Sequence, residues 1–299
     1  MWRRAACRAA VSMVLLAVFA APAFGTELAA GAGVLEVAVA APHGEHGMRV
    51  HYFKPARAGV ETPILFIMHG AGRNADGYRD VWIGPAEEHG WLIVAPEFTK
   101  REYPGTHAYN LGNVFTKDRR RNPPAQWGFA AIERIFAEIV GRTGSRCRTF
   151  GIYGHSAGAQ FVHRMMLFRP DAPIGVAVAA NAGWYTLPDI GVEWPYGMGS
   201  IEGAGSTHAD AFAKKLIVLL GSADTDTAGR YLNRSEGAMA QGPHRFARGA
   251  YFFAQAQAVA AEQGATFAWE KVEVPGVGHS NRRMAPAAAV QVARFLRCG

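Results

Sequence analysis

The chain has 299 residues, of which 49% are hydrophobic and 18% charged, a composition that excludes intrinsic disorder and allows one large domain or two small ones. Its 31 basic and 24 acidic residues leave a net charge of about +4 once three N-terminal arginines are set aside, which is too small to favour a nucleic-acid partner. We therefore expect a globular protein with no nucleic-acid partner.

The first residues have the pattern of a secretory signal peptide. Three arginines among the first eight residues precede an apolar run over residues 9–21, and the small residues Ala23 and Gly25 follow. The apolar run is too short to span a bilayer comfortably, and no later segment of the sequence reaches that length. We expect residues 1–25 to be a signal peptide and residues 26–299 to form one domain without stable membrane insertion. The expected location is secreted or periplasmic.

Strands and helices alternate along the rest of the chain. Apolar runs and alternating patterns predict eight strands, over residues 34–41, 48–53, 64–68, 91–95, 149–153, 174–180, 216–220 and 267–274. Apolar residues at helical spacing predict helices over residues 75–89, 126–140, 157–168, 247–263 and 285–296. This alternation predicts an α/β fold with a mostly parallel eight-stranded sheet and helices on both faces.

One stretch interrupts the alternation. Residues 184–214 are rich in glycine, proline and aromatic side chains. Two interpretations remain open for this stretch: a small cap or substrate-binding insertion, which would place Trp184 against substrate, or a plain surface excursion.

Two cysteines remain after the predicted signal peptide. Cys147 precedes a predicted strand and Cys298 ends the last predicted helix. In the predicted sheet, both positions would lie on the side away from the loops that follow the parallel strands. In an exported protein two such cysteines form either one disulfide or two free thiols, and the sequence leaves both alternatives open.

The pattern Gly-x-Ser-x-Gly occurs once in a setting that gives it chemical meaning. Residues 154–158, Gly-His-Ser-Ala-Gly, follow a predicted apolar strand and open a predicted helix. A nucleophile elbow requires this order of strand, tight turn and helix, because the turn exposes the serine hydroxyl at a helix N-terminus. We therefore predict that Ser156 is a nucleophile.

A serine hydroxyl needs a base, and the base needs an orienting carboxylate. Asp224 and Asp226 follow the strand predicted over residues 216–220, and His279 follows the next strand along the chain. These ends of parallel strands meet at one edge of a sheet, in the order serine, acid, histidine that this fold uses. We predict His279 as the base and Asp224 as the acid, with Asp226 as the alternative, because Asp224 stands nearer the strand end.

Acyl transfer also needs two hydrogen-bond donors for the oxyanion that develops on the substrate. One is the amide after the nucleophile, at Ala157. The other is predicted in the loop 69–74, His-Gly-Ala-Gly-Arg-Asn, with Ala71 as first choice and Gly72 as the next. No cofactor or metal is expected, because the only cluster of histidines and acids, residues 43–46, lacks a helix and a third ligand.

Three segments resemble one known superfamily. Residues 69–76 (His-Gly-Ala-Gly-Arg-Asn-Ala-Asp), 154–158 and 221–224 (Gly-Ser-Ala-Asp) are similar to the α/β-hydrolases, and within them to the secreted esterase group that includes polyhydroxybutyrate depolymerases and feruloyl esterases. The resemblance covers residues 34–296 and implies the α/β-hydrolase fold. It implies roles for the following residues: Ser156 as nucleophile, Asp224 as acid, His279 as base, and Ala71 and Ala157 as the oxyanion amides.

Three functions are weighed on these observations. The first is hydrolysis of an ester, small or polymeric, through an acyl-enzyme on Ser156. The second is cleavage of amide bonds in an acidic polymer such as poly(aspartic acid), as in hydrolases of the same group. It is motivated by Arg282 and Arg283 after His279 and by a run of arginines at 119–121, since arginine suits carboxylates. The third, from another class, is a non-catalytic binding protein on a hydrolase scaffold.

Overall fold

The computed structural model describes residues 27–42, 44–201, 204–229 and 231–299. The predicted signal peptide, residues 1–25, lies outside these ranges. Within them, no helix is both long enough and apolar enough to cross a membrane.

An eight-stranded sheet forms the centre of the described chain. Its strands lie in the order β1-β2-β4-β3-β5-β6-β7-β8; the two pairs that include β2 are antiparallel and the others are parallel. Strands β3, β4, β5 and β7 are buried along their whole length, because helices cover both faces of the sheet. This confirms the predicted architecture. The strands are β1 (Gly31–Ala41), β2 (Gly44–Lys54), β3 (Ile64–Met68), β4 (Leu92–Pro96), β5 (Phe150–His155), β6 (Ile174–Ala180), β7 (Leu216–Gly221) and β8 (Glu270–Val274).

Two helical layers enclose the sheet. Helices α4, α5 and α8 pack against one face of the sheet, and α1, α2 and α9 pack against the other. The helices are α1 (Ala75–Val81), α2 (Ile83–His89), α3 (Gly105–Ala108), α4 (Gly128–Thr143), α5 (Ala157–Phe168), α6 (Ala204–Ala213), α7 (Glu236–Ala240), α8 (Arg245–Glu262) and α9 (Asn281–Phe295), with a 3₁₀ turn at Pro124–Gln126.

The helix predicted over residues 75–89 is divided in two. Trp82 stands between α1 and α2, outside the helical conformation of either. Its side chain is fully buried, with its ring centroid 4.8 Å from that of Tyr153 and 6.4 Å from that of Trp91. The break between α1 and α2 therefore coincides with the residue whose large indole ring packs against the sheet.

The last predicted strand is shorter than expected. It begins at Glu270, and the preceding residues pack against α6 instead of pairing with β7: the Trp269 and Phe267 rings contact Phe212, and the Ala268 amide donates to the Phe212 carbonyl at 2.8 Å. These aromatic residues have a high strand propensity, but here they pack against a helix outside the sheet.

The stretch from residue 184 packs closely against the rest of the domain. Trp184, Tyr185 and Leu187 are buried, and the Trp194 ring lies 5.5 Å from Phe168 of α5 and 5.2 Å from Phe115. Trp184 itself reaches the cavity beside Ser156. The description of residues 184–214 as a cap or substrate-binding insertion stays a prediction.

Cys147 and Cys298 form a disulfide, which decides between the two alternatives that the sequence left open. The bridge links the start of β5 to the chain end across a sequence separation of 151 residues, and the Arg148 amide donates to the Cys298 carbonyl at 3.0 Å. It lies at the edge of the sheet where the parallel strands begin, opposite the edge where they end. We call these the amino edge and the carboxyl edge.

Candidate active site

Ser156 stands on a strained turn between β5 and α5. Its backbone angles, φ 58° and ψ −114°, lie in a region that residues with a side chain rarely adopt. A Cβ added to Gly154 would lie 2.3 Å from the Gly158 backbone, and one added to Gly158 would lie 2.1 Å from the Met68 carbonyl oxygen. Glycine is therefore required on both sides of Ser156, as a nucleophile elbow demands.

A chain of hydrogen bonds joins the three residues predicted to act together. His279 Nε2 lies 3.0 Å from Ser156 Oγ, and His279 Nδ1 lies 2.7 Å from Asp224 Oδ2. Asp224 follows β7 and its side chain is 1% exposed, whereas the Asp226 side chain is exposed and accepts from the Ala228 amide. Of the two candidate acids, Asp224 is therefore the one that contacts the imidazole.

Asn181, directly after β6, hydrogen-bonds to residues next to both the Asp224 loop and the His279 loop. Its Oδ1 accepts from the Gly221 amide at 2.7 Å, and its Nδ2 donates to the Gly278 carbonyl at 3.2 Å. Its φ is 50°, in the left-handed region, which asparagine tolerates better than most residues. Asn181 was not predicted from the sequence, although its place just after a predicted strand was an available signal.

A buried histidine lies behind the imidazole of His279. The two ring centroids of His155 and His279 are 4.7 Å apart, and His155 Nδ1 lies 3.2 Å from the Tyr78 hydroxyl. Burial, and then the positive charges of His279 and Arg245, hold the pKa of His155 well below its usual value. Burial also raises the pKa of Tyr78 to about 12. Both groups therefore stay neutral beside an imidazole that would gain a proton during catalysis.

The two predicted oxyanion amides lie at the same cavity as Ser156. Ala157 begins α5 and Ala71 lies in the loop after β3, and both line the cavity that contains Ser156. Neither amide donates to another backbone group in the part of the chain that is described. The described backbone acceptors therefore leave both N–H groups unused, as donors for an oxyanion would have to be.

His69 orders the loop that carries Ala71. Its Nε2 accepts from the Phe98 amide at 3.1 Å, so Nδ1 carries the proton and donates to the Gly70 carbonyl at 3.0 Å. Burial lowers the pKa of His69 to about 3. A neutral histidine with both nitrogens engaged holds the loop in shape and takes no part in proton transfer.

Two open clefts flank Ser156. Both include Ala71, Ser156, Tyr231 and Arg245. The first, of about 460 Å³, continues past Trp184, and we call it the Trp184 cleft. The second, of about 380 Å³, continues past Lys100 and His279, and we call it the Lys100 cleft. Among the described residues, Lys100 and Arg245 are the lysine and arginine of the two linings, and no described aspartate or glutamate lines either cleft.

The two arginines predicted to bind substrate lie elsewhere. Arg282 and Arg283 are exposed in the first turn of α9 and line neither cleft, and Arg283 donates to the Gly276 carbonyl at 3.0 Å. The cations beside Ser156 come instead from Lys100 and Arg245, which the sequence analysis missed because nothing in their spacing related them to the serine.

Across the described ranges, no group of three or more histidine, cysteine, aspartate or glutamate side chains is placed to hold a metal ion. The groups gathered at Ser156 are a hydroxyl, an imidazole and a carboxylate joined by hydrogen bonds, with the amides of Ala71 and Ala157 at the same cavity.

Comparison with known proteins places the chain in a family. Poly(aspartic acid) hydrolase-1 from Sphingomonas sp. KT-1 is 42% identical, with a TM-score of 0.85 over 89% of this chain and 99% of its own. A poly(3-hydroxybutyrate) depolymerase from Bordetella parapertussis is 33% identical, with a TM-score of 0.81 over 87% of this chain and 89% of its own. An S-formylglutathione hydrolase from Agrobacterium tumefaciens, 15% identical at a TM-score of 0.58 over 92% and 99%, shares the fold alone.

No protein-family model matches the chain, and no match is found among curated proteins. The two similar structures are sufficient, because both exceed 30% identity over most of their own length. The predicted resemblance is confirmed: the chain belongs to the α/β-hydrolase superfamily, in the group of hydrolases that contains these two enzymes.

Proposed function

We propose that this chain is a serine hydrolase that cleaves backbone ester or amide bonds of a polymer through an acyl-enzyme. The observation that carries the proposal is the unbroken chain of hydrogen bonds from Asp224 through His279 to Ser156, at the point where the two clefts meet. A serine with this partner chain and two free amides is equipped for nucleophilic attack on a carbonyl carbon.

The proposed reaction has two halves. Ser156 Oγ adds to the carbonyl carbon while its proton passes to His279 Nε2, and the amides of Ala157 and Ala71 bind the oxyanion. Collapse breaks the bond to the leaving alcohol or amine, which takes the proton from Nε2. Water then attacks the acyl-enzyme and gives a proton to Nε2, and the second collapse returns that proton to Ser156 as the carboxylic acid leaves. Asp224 stays ionised throughout and holds the imidazole in position.

Of the two polymer classes, the charge of the clefts favours the acidic one. Lys100 and Arg245 contribute positive charge to the lining, and none of the described lining residues is a carboxylate that would repel a polyanion. The 42% identity to a poly(aspartic acid) hydrolase supports the same choice. A neutral polyester is the second candidate, because Trp184, Tyr231 and Leu232 give the Trp184 cleft an apolar portion and a depolymerase is 33% identical.

Export of a single catalytic domain forms part of the proposal. The signal-peptide pattern over residues 1–25 supports it, and so does the Cys147–Cys298 disulfide, since disulfides persist in oxidising compartments and are rare in reducing ones. The N-terminal residue of the protein recovered from periplasm and culture medium tests it. Processing near residue 25 is expected, and retention of the first residues in the cytoplasm would contradict it.

Hydrolysis by the wild type and its Ser156→Ala variant tests the catalytic proposal. The substrates are p-nitrophenyl butyrate, poly(aspartate) and polyhydroxybutyrate. We expect turnover by the wild type that Ser156→Ala abolishes, with poly(aspartate) preferred over polyhydroxybutyrate. Preference for polyhydroxybutyrate would select the second candidate. Equal inactivity of both proteins on every substrate would favour the non-catalytic binding protein.

A further inference from the structure

Arg245 contacts the side of Asp224 that the histidine leaves free. His279 uses Oδ2 of the carboxylate, and Arg245 Nη1 lies 3.6 Å from Oδ1. The Phe246 amide also donates to the Asp224 carbonyl at 3.2 Å, so the start of α8 is fixed to the acid through both backbone and side chain. The Arg245 side chain is 7% exposed, so this ion pair is largely shielded from solvent.

Among the described residues, part of the hydrogen-bonding capacity of Arg245 is unused. At 3.6 Å its contact with Asp224 is an ion pair longer than a hydrogen bond, and its Nε has no hydrogen-bond partner among the described residues. A guanidinium has five N–H donors and does not lose its charge in proteins. A buried cation with unmade hydrogen bonds at the wall of two clefts indicates a missing acceptor.

Its neighbour Arg248 shows the contrasting case. Arg248 is fully buried one turn along α8, and its guanidinium donates to the carbonyls of Gly242, Gly183 and Asn233 at 2.7–2.9 Å. It lines neither cleft. The two arginines are alike in burial, but Arg248 holds backbone carbonyls in place whereas Arg245 faces the clefts with donors to spare.

We propose that Arg245 forms a carboxylate-binding subsite directly beside Ser156, so that one guanidinium holds both the triad acid and a carboxylate of the substrate. This inference rests on the proposed function and names the substrate class as one with a carboxylate next to the scissile bond. Arginine suits the role because its planar fork presents separate edges to two acceptors. Lys100 is exposed and lines the Lys100 cleft, where its positive charge would attract a second carboxylate of a longer polyanion.

Two matched esters test the subsite. The α-methyl esters of N-acetylaspartate and N-acetylasparagine differ in the charge of the side chain and hardly in its shape, and acid release at pH 7.5 measures kcat/KM for each. We expect the wild type to prefer the aspartate ester by about 10- to 100-fold, the ratio that one charge-assisted hydrogen bond or pair confers. Arg245→Gln should bring the ratio close to one, and Arg245→Lys should recover part of it.

The ratio of the two esters separates loss of the subsite from loss of the ion pair between Arg245 and Asp224. Arg245→Gln is expected to slow both esters to some extent, because it removes an ion-pair partner of the triad acid. An equal loss on both esters, or a wild type without preference, would overturn the subsite. Arg282→Gln is the matched control: it removes one exposed positive charge from α9, and it should leave the ratio unchanged. A similar change of ratio in that variant would assign the preference to the general field of the protein.

A second readout does not need turnover of the methyl esters. Poly(aspartate) should inhibit hydrolysis of p-nitrophenyl butyrate competitively in the wild type, with an inhibition constant about 10-fold or more weaker in Arg245→Gln. An unchanged inhibition constant would contradict the subsite. Failure of the proposed function would be distinguishable, because Ser156→Ala would then retain butyrate hydrolysis.

Discussion

The two edges of the central sheet are built in opposite ways. At the amino edge, the Cys147–Cys298 disulfide fixes the end of the chain to the start of β5. At the carboxyl edge, Ser156 is held at a φ of 58°, and His155 Nε2 and Arg245 Nε are buried without a hydrogen-bond partner in the described chain. Backbone strain at Ser156 and two unpartnered buried nitrogens therefore lie at the carboxyl edge, whereas the covalent cross-link lies at the amino edge.

This difference between the edges follows from the different requirements of a binding site and of a stable fold. A binding site needs donors and acceptors that the protein itself leaves free, and such groups cost stability when they are buried. The strand ends at the carboxyl edge place loops from β5, β7 and β8 side by side, which suits a site made of distant residues. The amino edge carries no comparable demand. Variants at the two edges should therefore separate turnover from stability.

The largest effect is expected at the serine and its base. Ser156→Ala and His279→Ala should each lower kcat on p-nitrophenyl butyrate by about 10⁵- to 10⁶-fold, because the two residues act as one unit. Thermal unfolding of both variants should resemble that of the wild type, since neither side chain contributes to the core. A variant that keeps a tenth of the activity would show that another group is the nucleophile or the base.

The triad acid is expected to matter less than its partners. Asp224→Asn should lower kcat by about 10³- to 10⁴-fold, because an amide favours the wrong tautomer of His279 and cannot stabilise the imidazolium. Asp226→Asn is the matched control and should stay within about twofold of the wild type, because Asp226 is exposed and contacts the Ala228 amide instead of the histidine. The reverse ranking of the two variants would assign the acid to Asp226.

At the amino edge the expected effect is on stability alone. Replacing both Cys147 and Cys298 by serine should lower the free energy of unfolding by about 3–5 kcal/mol, since the disulfide closes a loop of 151 residues in the unfolded chain. Urea denaturation measures the loss, and kcat at 25 °C should not change. A large fall in kcat in a variant that is still folded would show that the two edges are coupled.

Asn181 tests whether positioning by a neighbouring strand matters at the carboxyl edge. Asn181→Ala should lower kcat by roughly 10- to 100-fold with little change in KM, because small displacements of reacting groups cost about that much. The hydrogen bonds it removes hold the Gly221 amide and the Gly278 carbonyl, next to the loops of the acid and the base. A change confined to thermal stability would give Asn181 a purely structural role.

The smallest expected effect concerns pH. His163 lies buried in α5, where its Nε2 accepts from the Thr186 amide, and burial holds its pKa well below 6.5. The unfolded state therefore binds one more proton than the native state below about pH 6.5, and the contribution of His163 to stability is lost as the pH falls. His163→Gln should flatten the decline of unfolding free energy between pH 6 and 5 by about 1 kcal/mol. An unchanged decline would mean that His163 becomes protonated in the native state.

Much of the fold could be predicted from sequence because the central strands are continuous apolar runs. The bounds of β3, β6 and α5 agree with the prediction to the residue. Short helices such as α3 and α7 were missed because four or five residues are too few to show an apolar period. The division at Trp82 was missed because it depends on how a large side chain packs against the sheet, which local periodicity does not contain.

The site residues likewise divide into those that local sequence patterns predict and those that depend on tertiary packing. Ser156, Asp224 and His279 were predicted because each follows a recognisable strand, and the structure brings them within hydrogen-bonding distance. Lys100 lies in a loop and Arg245 at the start of α8, and their places at the clefts are set by tertiary packing. Arg282 and Arg283 were chosen for their nearness to His279 along the chain, and the first turn of α9 directs them into solvent.

The most direct test of the proposed nucleophile is covalent labelling. The wild type and the Ser156→Ala and His279→Ala variants would be treated with a fluorophosphonate, and the modified residue identified by mass spectrometry of the digested protein. We predict one adduct on Ser156 in the wild type, none in Ser156→Ala and a greatly slowed reaction in His279→Ala. A wild type that remains unlabelled under conditions that label a known serine hydrolase, or an adduct on another residue, would contradict the assignment of Ser156 as the nucleophile.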